Sequence, residues 1–224
     1  MRKHDVPRTR PGLLPTPHAV PTPPGYFPLA EQFITQGEPA FCGPSCLAMV
    51  LNTLKIDPNT TWKGGWRWFD EHTLAASCCK PLEAIHQEGI TLDEFAALGR
   101  CQGAAVDVFR PREEALTNGG SISVRTARRG DGSCTAESFR AAVRAACSSS
   151  KPPHMIVSFL RTSLGQTGTG HFSPIAAFHE ASDSALVLDI ARFKLPPYWV
   201  YLSLYIDRYR WMGRWKDRSI DMYI

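Results

Sequence analysis

The sequence predicts an α+β fold, with a helical half followed by an antiparallel sheet and a cleft between them. Two observations carry this expectation: most helix-period apolar patterns fall before residue 104, and short β-type runs dominate after residue 154. With 224 residues and 43% hydrophobic content, the chain can bury one substantial core or two small lobes around a cleft.

Residues 1–28 hold eight prolines and read as an extended arm. The folded domain is expected over 29–206, with a basic, aromatic extension over 207–224. Helical patterns span about 44–55, 81–88, 91–100 and 135–147. The third opens on Thr91 with Glu94 three residues on, and the fourth on Thr135 with Ser138, both N-terminal capping signatures. β-type runs follow at 104–109, 154–160, 171–178, 185–193 and 198–204. The polar, glycine-containing stretch 111–134 reads as a loop with at most a short ribbon. The aromatic run "WKGGWRWF" at 62–69 reads as core and cleft wall.

The net charge of +4 sits at the ends, +3 over residues 1–24 and +2 over 207–224, which leaves −1 for the body. No basic stripe lies on a folded element, so nucleic acid is not an expected partner. No run approaches the roughly 18 apolar residues of a membrane span. The amino terminus lacks the apolar core of a secretory signal. Seven scattered cysteines without a signal peptide suggest reduced thiols in a cytoplasmic compartment. The oligomeric state stays open, a homodimer included.

The segment "QGEPAFCGPSCLAMVL", residues 36–51, places Cys42 where Pro39 and Gly43-Pro44 interrupt regular structure and a buried helix begins. Orphan N–H groups and the helix dipole favour an anion there, which suits a thiolate nucleophile. The alternative is a small buried apolar residue. A thiol nucleophile needs a base. His4 and His18 lie in the arm, and His72 and His86 lie in polar surroundings near helix ends. His154, His171 and His179 remain. His171 follows "GQTGTG", whose Gly165, Gly168 and Gly170 allow backbone close to a ligand, and it opens a β-run. Asp189, within "ALVLDIARF", is flanked by apolar residues and needs a partner if buried. If "EASDS" is a turn, His171 and Asp189 lie on adjacent strands within reach. The alternative for Asp189 is backbone amides or Arg192. Jointly, Cys42, His171 and Asp189 have the roles of a thiol triad.

The strings "QGEPAFCG", "LAMVLNTLKIDP", "WKGGWRWFDE", "QTGTGHFSPI" and "LDIARFKLPPYWV" resemble the catalytic N-terminal domain of the phytochelatin synthase family, over roughly residues 30–204. The resemblance implies a papain-like cysteine transpeptidase. Such an enzyme cleaves the Cys–Gly bond of glutathione, holds γ-Glu-Cys as a thioester and passes it to glutathione or phytochelatin. It implies Cys42 as nucleophile, His171 as general base and acid, Asp189 as orienting carboxylate and Gln36 as oxyanion donor. It also places Arg192 and Lys194 near substrate carboxylates, with Gly43 and Gly170 at the substrate. The family's eukaryotic members commonly continue into a cysteine-rich second half, and stretch 111–134 is longer than the usual connection. For a core-only member the resemblance implies that hydrolysis outruns transfer.

Two carboxylates on glutathione make Arg67, Arg192 and Lys194 candidate recognition groups, with a structural ion pair the preferred role for Arg67. No tightly bound cofactor is expected. Cadmium or zinc is expected to arrive as a glutathione thiolate complex. The rivals are a glutathione hydrolase or cysteine peptidase without transfer, and a non-catalytic metal-binding thiol protein built on Cys78 and Cys79, whose adjacency is not zinc-site spacing.

Overall fold

The computed structural model describes residues 13–14, 23–78, 80–111, 132–151, 153–207 and 221–223. Its α+β composition agrees with the sequence expectation. Among the described residues six helices precede the main strands, the first five being α1 (Tyr26–Glu31), α2 (Cys42–Thr53), α3 (Glu71–Ala76), α4 (Leu82–Glu88) and α5 (Leu92–Cys101). The Thr91–Glu94 box caps α5, and the Thr135–Ser138 box caps α6 (Ala136–Cys147). Each such cap contributes about 1 kcal/mol by satisfying N–H groups the helix cannot. Helix α1 begins inside the span read as an arm, and Leu29 on it is buried.

The sheet is built around four antiparallel neighbours: β4 (Met155–Leu160), β5 (Gly170–His179), β6 (Ser184–Val187) and β7 (Tyr198–Tyr201), ordered β7-β6-β5-β4. Short strands extend both edges: β1 (Leu13–Leu14) on β7, then β8 (Asp221–Tyr223), β2 (Val108–Pro111) and β3 (Gly132–Cys134) beyond β4. β2 and β3 pair in parallel, so the flanks of the long polar stretch do not form a hairpin ribbon; residues 112–131 lie outside the described residues.

Strand alternation divides the core. Ile156, Phe172 and Ala176 join Leu47, Leu51, Leu74 and Phe95 in one cluster, whereas Met155, Val157, Phe159 and Ile175 join Phe139, Val143, Leu202 and Tyr205 in another. Helix α2 lies against β5 on the first side, and α6 lies against β5 and β4 on the second. The central strands are therefore covered by helices on both faces. Docking of α2 on β5 brings the start of the helix to the start of the strand.

Three expected elements differ. The run 185–193 is a strand only to Val187, because the Asp189 carboxylate takes the Ala191 N–H and a turn closes from the Ala191 carbonyl to Lys194 and Leu195. Residues 202–204, read as the end of a strand, instead open helix α7 (Leu202–Asp207). Residues 62–68 are not core or cleft wall. Gly64 and Gly65 make a turn closed by the Trp62 N–H on the Trp66 carbonyl, with Lys63 and Arg67 keeping it in solvent; Trp62, Trp66 and Trp68 are exposed, and only Phe69 reaches the core.

Candidate active site

Cys42 occupies the first position of α2, after Phe41 as N-cap. Phe41 is fully buried, its ring 5.7 Å from that of His72 and 4.6 Å from that of His86. These two histidines thus pack beside the residue that precedes Cys42. Gly43 is buried too. A Cβ there would sit 2.5 Å from Ile90 Cγ1, so the helix start approaches Ile90 more closely than any side chain allows. Gly43 therefore faces the core and not an open substrate site.

His171 is the second residue of β5, buried and edge-on to Phe159 at 5.7 Å. Its Nε2 lies 2.9 Å from Asp189 Oδ1, and the Cys42 thiol is its other polar neighbour. With Nε2 on the carboxylate, Nδ1 is the nitrogen left for sulfur. The β5–β6 pairing, His179 opposite Ser184, makes the expected hairpin and carries the chain back to Asp189. The other two base candidates lie elsewhere: His179 Nδ1 meets Ser182 Oγ at 2.6 Å, and His154, buried just ahead of β4, lines a cavity with Val50, Leu54 and Val106.

The electrostatics favour an ion pair. Burial alone would raise the Cys42 thiol, but the hydrogen bond and charge of His171, the Phe172 N–H and the Arg161 charge outweigh it, and the thiol falls below its ordinary value. Burial likewise pushes His171 down, and Asp189 and Cys42 more than restore it, so the imidazole sits above its ordinary value. Asp189 has no solvent exposure, yet His171 and Arg161 overcome burial and hold its carboxyl well below the usual carboxylate range. Cys46 behaves oppositely. It is buried, donates to the Phe172 carbonyl at 3.2 Å, and burial followed by the Cys42 charge pushes it well up.

Arg161 is the partner of Asp189 that the sequence reading missed. Its buried guanidinium forks onto both carboxylate oxygens and also donates to Gln166 Oε1 at 2.7 Å. The signal was available: an arginine ending the apolar run "MIVSFL" is placed to compensate a buried acid. Arg192, weighed for that role, is exposed and lies over the Phe33 ring at 4.9 Å. Lys194 donates to the Thr167 carbonyl beside Gly168, whose φ of +114° needs glycine. Gly170 is exposed with open space beside it. Arg67 pairs with Asp57 at 2.5 Å on the surface.

Gln36 is buried in the loop before α2, with its N–H on the Ile190 carbonyl at 3.0 Å. Its Nε2 donates to the Glu38 and Pro39 carbonyls at 2.8 and 3.0 Å, which uses both amide hydrogens inside the loop. Glu71, also unforeseen, accepts from the adjacent Gly37 N–H and from Ser45 Oγ. Among the described residues, no group of three or more His, Cys, Asp or Glu side chains could hold a metal; Cys79 lies outside them. No described helix is long and apolar enough to cross a membrane.

A thiol at a helix N-terminus beside an imidazole that is hydrogen-bonded to a carboxylate forms an arrangement able to carry nucleophilic acyl transfer through a cysteine. Comparison with known proteins narrows this class. A family model described as phytochelatin synthase matches residues 13–210. Glutathione gamma-glutamylcysteinyltransferase 3 of Lotus japonicus is 44% identical over 183 residues, covering 82% of this chain and 33% of that protein. Glutathione gamma-glutamylcysteinyltransferase 2 of Arabidopsis thaliana is 45% identical over 82% of this chain and 35% of its own length. The Schizosaccharomyces pombe enzyme of that name is 43% identical over 80% and 38% respectively. The chain belongs to the phytochelatin synthase family. It spans about a third of the length of the plant relatives it matches.

Proposed function

We propose that this chain is a papain-like catalytic unit that transfers γ-Glu-Cys from glutathione to a second glutathione or to phytochelatin, in heavy-metal detoxification. The observation that carries the reading is the placing of Cys42 beside His171, whose imidazole is hydrogen-bonded to Asp189, in a chain whose relatives are named for that transfer.

The Cys42 thiolate attacks the carbonyl carbon of the Cys–Gly bond. As the C–N bond breaks, the His171 imidazolium gives its proton to the departing glycine amine, leaving a γ-Glu-Cys thioester and a neutral imidazole. The amine of a second glutathione then attacks the thioester. His171 takes the amine proton, the new amide forms and Cys42 leaves as thiolate. Asp189 keeps the imidazole aligned and stabilises its charged form. Water in place of the amine gives hydrolysis. The tetrahedral oxyanion faces the start of α2, where the Cys42 N–H has no partner within the helix. Gln36 joins that donor once its amide gives up one loop carbonyl. Arg192 and Lys194, on the turn after Asp189, receive substrate carboxylates, and Gly170 leaves the mouth of β5 open. Cadmium or zinc enters as a glutathione thiolate complex, which is substrate, and no tightly bound cofactor is required. A cytoplasmic location suits a reaction that needs a reduced thiol.

The test is glycine release from glutathione, with products resolved by mass in the presence and absence of cadmium. The reading requires equimolar glycine and γ-Glu-Cys products, with longer (γ-Glu-Cys)n-Gly chains when transfer operates. Protein that leaves glutathione intact under both conditions contradicts it.

A further inference from the structure

The buried carboxylate of Glu71 has no place in the reaction above, yet it touches both segments that the reaction must hold in register, the backbone at Gly37 and the Ser45 side chain of α2. Glu71 opens α3 directly after Asp70, whose side chain caps that helix. Its Oε1 and Oε2 accept the Gly37 N–H at 2.8 and 3.1 Å, and Oε2 also accepts from Ser45 Oγ. Ser45 lies three residues after Cys42 on α2 and is fully buried. Gly37 follows Gln36, and a Cβ on Gly37 would collide with Glu71 Oε1, so the carboxylate occupies the space a side chain would need.

Gln36 is thus pinned twice. Its own N–H bonds the Ile190 carbonyl next to Asp189, and the following N–H bonds Glu71. The loop 36–41 is suspended between the segment that carries the triad's acid and the helix that carries its thiol. An oxyanion donor acts only when held within a few tenths of an ångström of where charge develops, so the bonds that hold its backbone are worth what the donor is worth. A buried carboxylate costs desolvation, which three charge-assisted contacts to backbone and hydroxyl donors offset.

We infer that Glu71 is a positioning residue for acyl transfer: by clamping the Gln36–Gly37 peptide to Ser45 of α2, its carboxylate sets the Gln36 amide in register with the Cys42 thiol. This deepens the transferase reading and rests on it for its catalytic consequence, but the clamp itself is measurable without substrate.

The experiment compares wild type, Glu71→Gln, Glu71→Ala and Ser45→Ala. Glycine release from glutathione is normalised to alkylatable Cys42, so that unfolded protein does not count, and hydrogen exchange is followed at the 36–41 loop. In Glu71→Gln, Oε1 accepts from Gly37 while Nε2 donates to Ser45 Oγ. That variant is expected to keep kcat within about threefold of wild type and a protected Gly37 amide. Glu71→Ala is expected to lose about 10²-fold in kcat with KM within about threefold, an unchanged Cys42 alkylation rate and fast Gly37 exchange. Ser45→Ala should fall between the two and decides the matter if Glu71→Ala does not fold. Wild-type kcat per alkylatable thiol in either alanine variant, or equal impairment of Glu71→Gln and Glu71→Ala, overturns the inference. Wild-type protein that releases no glycine sinks the glutathione reading instead, and the exchange data then decide the clamp alone: unchanged Gly37 protection in Glu71→Ala overturns it.

Discussion

Arg161 grips Asp189 in a two-pronged pair, Nη1 to Oδ2 and Nη2 to Oδ1, each at 3.0 Å with both side chains buried. The same Oδ1 faces His171 Nε2 at 2.9 Å and accepts the Ala191 N–H at 3.0 Å. A forked pair has one planar geometry, so the guanidinium fixes the carboxylate plane, and the carboxylate in turn fixes the imidazole. Orientation of the thiol's base therefore begins at the end of β4, two residues of the chain removed from any direct contact with sulfur.

One consequence concerns stability. Asp189→Asn leaves the Arg161 guanidinium buried without a counter-charge, a change that costs about 3–5 kcal/mol. Replacing Arg161 by Met in the same protein removes the orphaned charge and should recover a substantial part of that loss. Urea denaturation of wild type, the single variant and the double variant measures both steps. A single variant as stable as wild type would show that Arg161 finds compensation elsewhere.

The pH dependence follows from opposed shifts. Cys42 titrates below its ordinary 9.0 and His171 above its ordinary 6.5, so both shifts favour the thiolate–imidazolium pair. Cys42 alkylation should rise with pH through a midpoint below 9.0, while kcat/KM falls on the alkaline side as the imidazolium is lost. Asp189→Asn removes charge that favours the imidazolium. It should lower the imidazole limb. The raised His171 value also adds folding stability that is complete below about 6.5 and disappears as pH rises through the folded value. The depressed Asp189 value adds stability present above about 3.8 and lost as pH falls through its folded value. An imidazole limb that stays in place or moves up in the Asn variant would contradict its assignment to His171.

Gly43 offers a steric test. A methyl group there meets Ile90 Cγ1 at 2.5 Å and Cδ1 at 2.6 Å, so Gly43→Ala must displace either Ile90 or the start of α2. Overpacking of this kind costs about 1–3 kcal/mol and moves Cys42, the adjacent residue. Acylation should slow in Gly43→Ala and return when Ile90→Ala supplies room. Failure of the second change to restore the rate would mean that Gly43 acts through substrate and not through packing.

Metal dependence should reside in the substrate. Soft cations bind thiolates, and a bis-glutathione complex masks the acceptor thiol while leaving its amine free to attack the thioester. S-methylglutathione is therefore expected to yield S-methylated phytochelatin in chelated buffer without added metal. Product that appears only after cadmium or zinc is restored would place the metal on the protein.

The legible parts of the fold were those governed by local chemistry. Thr91 with Glu94 and Thr135 with Ser138 announce their helices, because a capping box is a four-residue event. The β5–β6 hairpin was readable from "EASDS", and with it the proximity of His171 to Asp189. What escaped depends on long-range satisfaction. The apolar run ahead of Arg161 marks it as a partner for some buried acid but does not say that the acid is Asp189, 28 positions away, and nothing near Glu71 says that it meets Gly37, 34 positions back. Residues 188–193 look like strand because they are apolar, but the Asp189 side chain claims the Ala191 N–H and turns the chain. Residues 62–68 look like core because they are aromatic, but two glycines and two cations project them into solvent.

The most direct test of the account is the covalent state of Cys42 during turnover. Wild-type protein quenched in acid after brief incubation with glutathione, then mapped by peptide mass spectrometry, is expected to carry one γ-Glu-Cys thioester, on Cys42. Cys42→Ala should carry none, and Cys46 should stay unmodified, since burial holds its thiol protonated and its S–H points at the Phe172 carbonyl. Acylation mapped to any other cysteine, or glycine release by Cys42→Ala at the wild-type rate, would contradict the account.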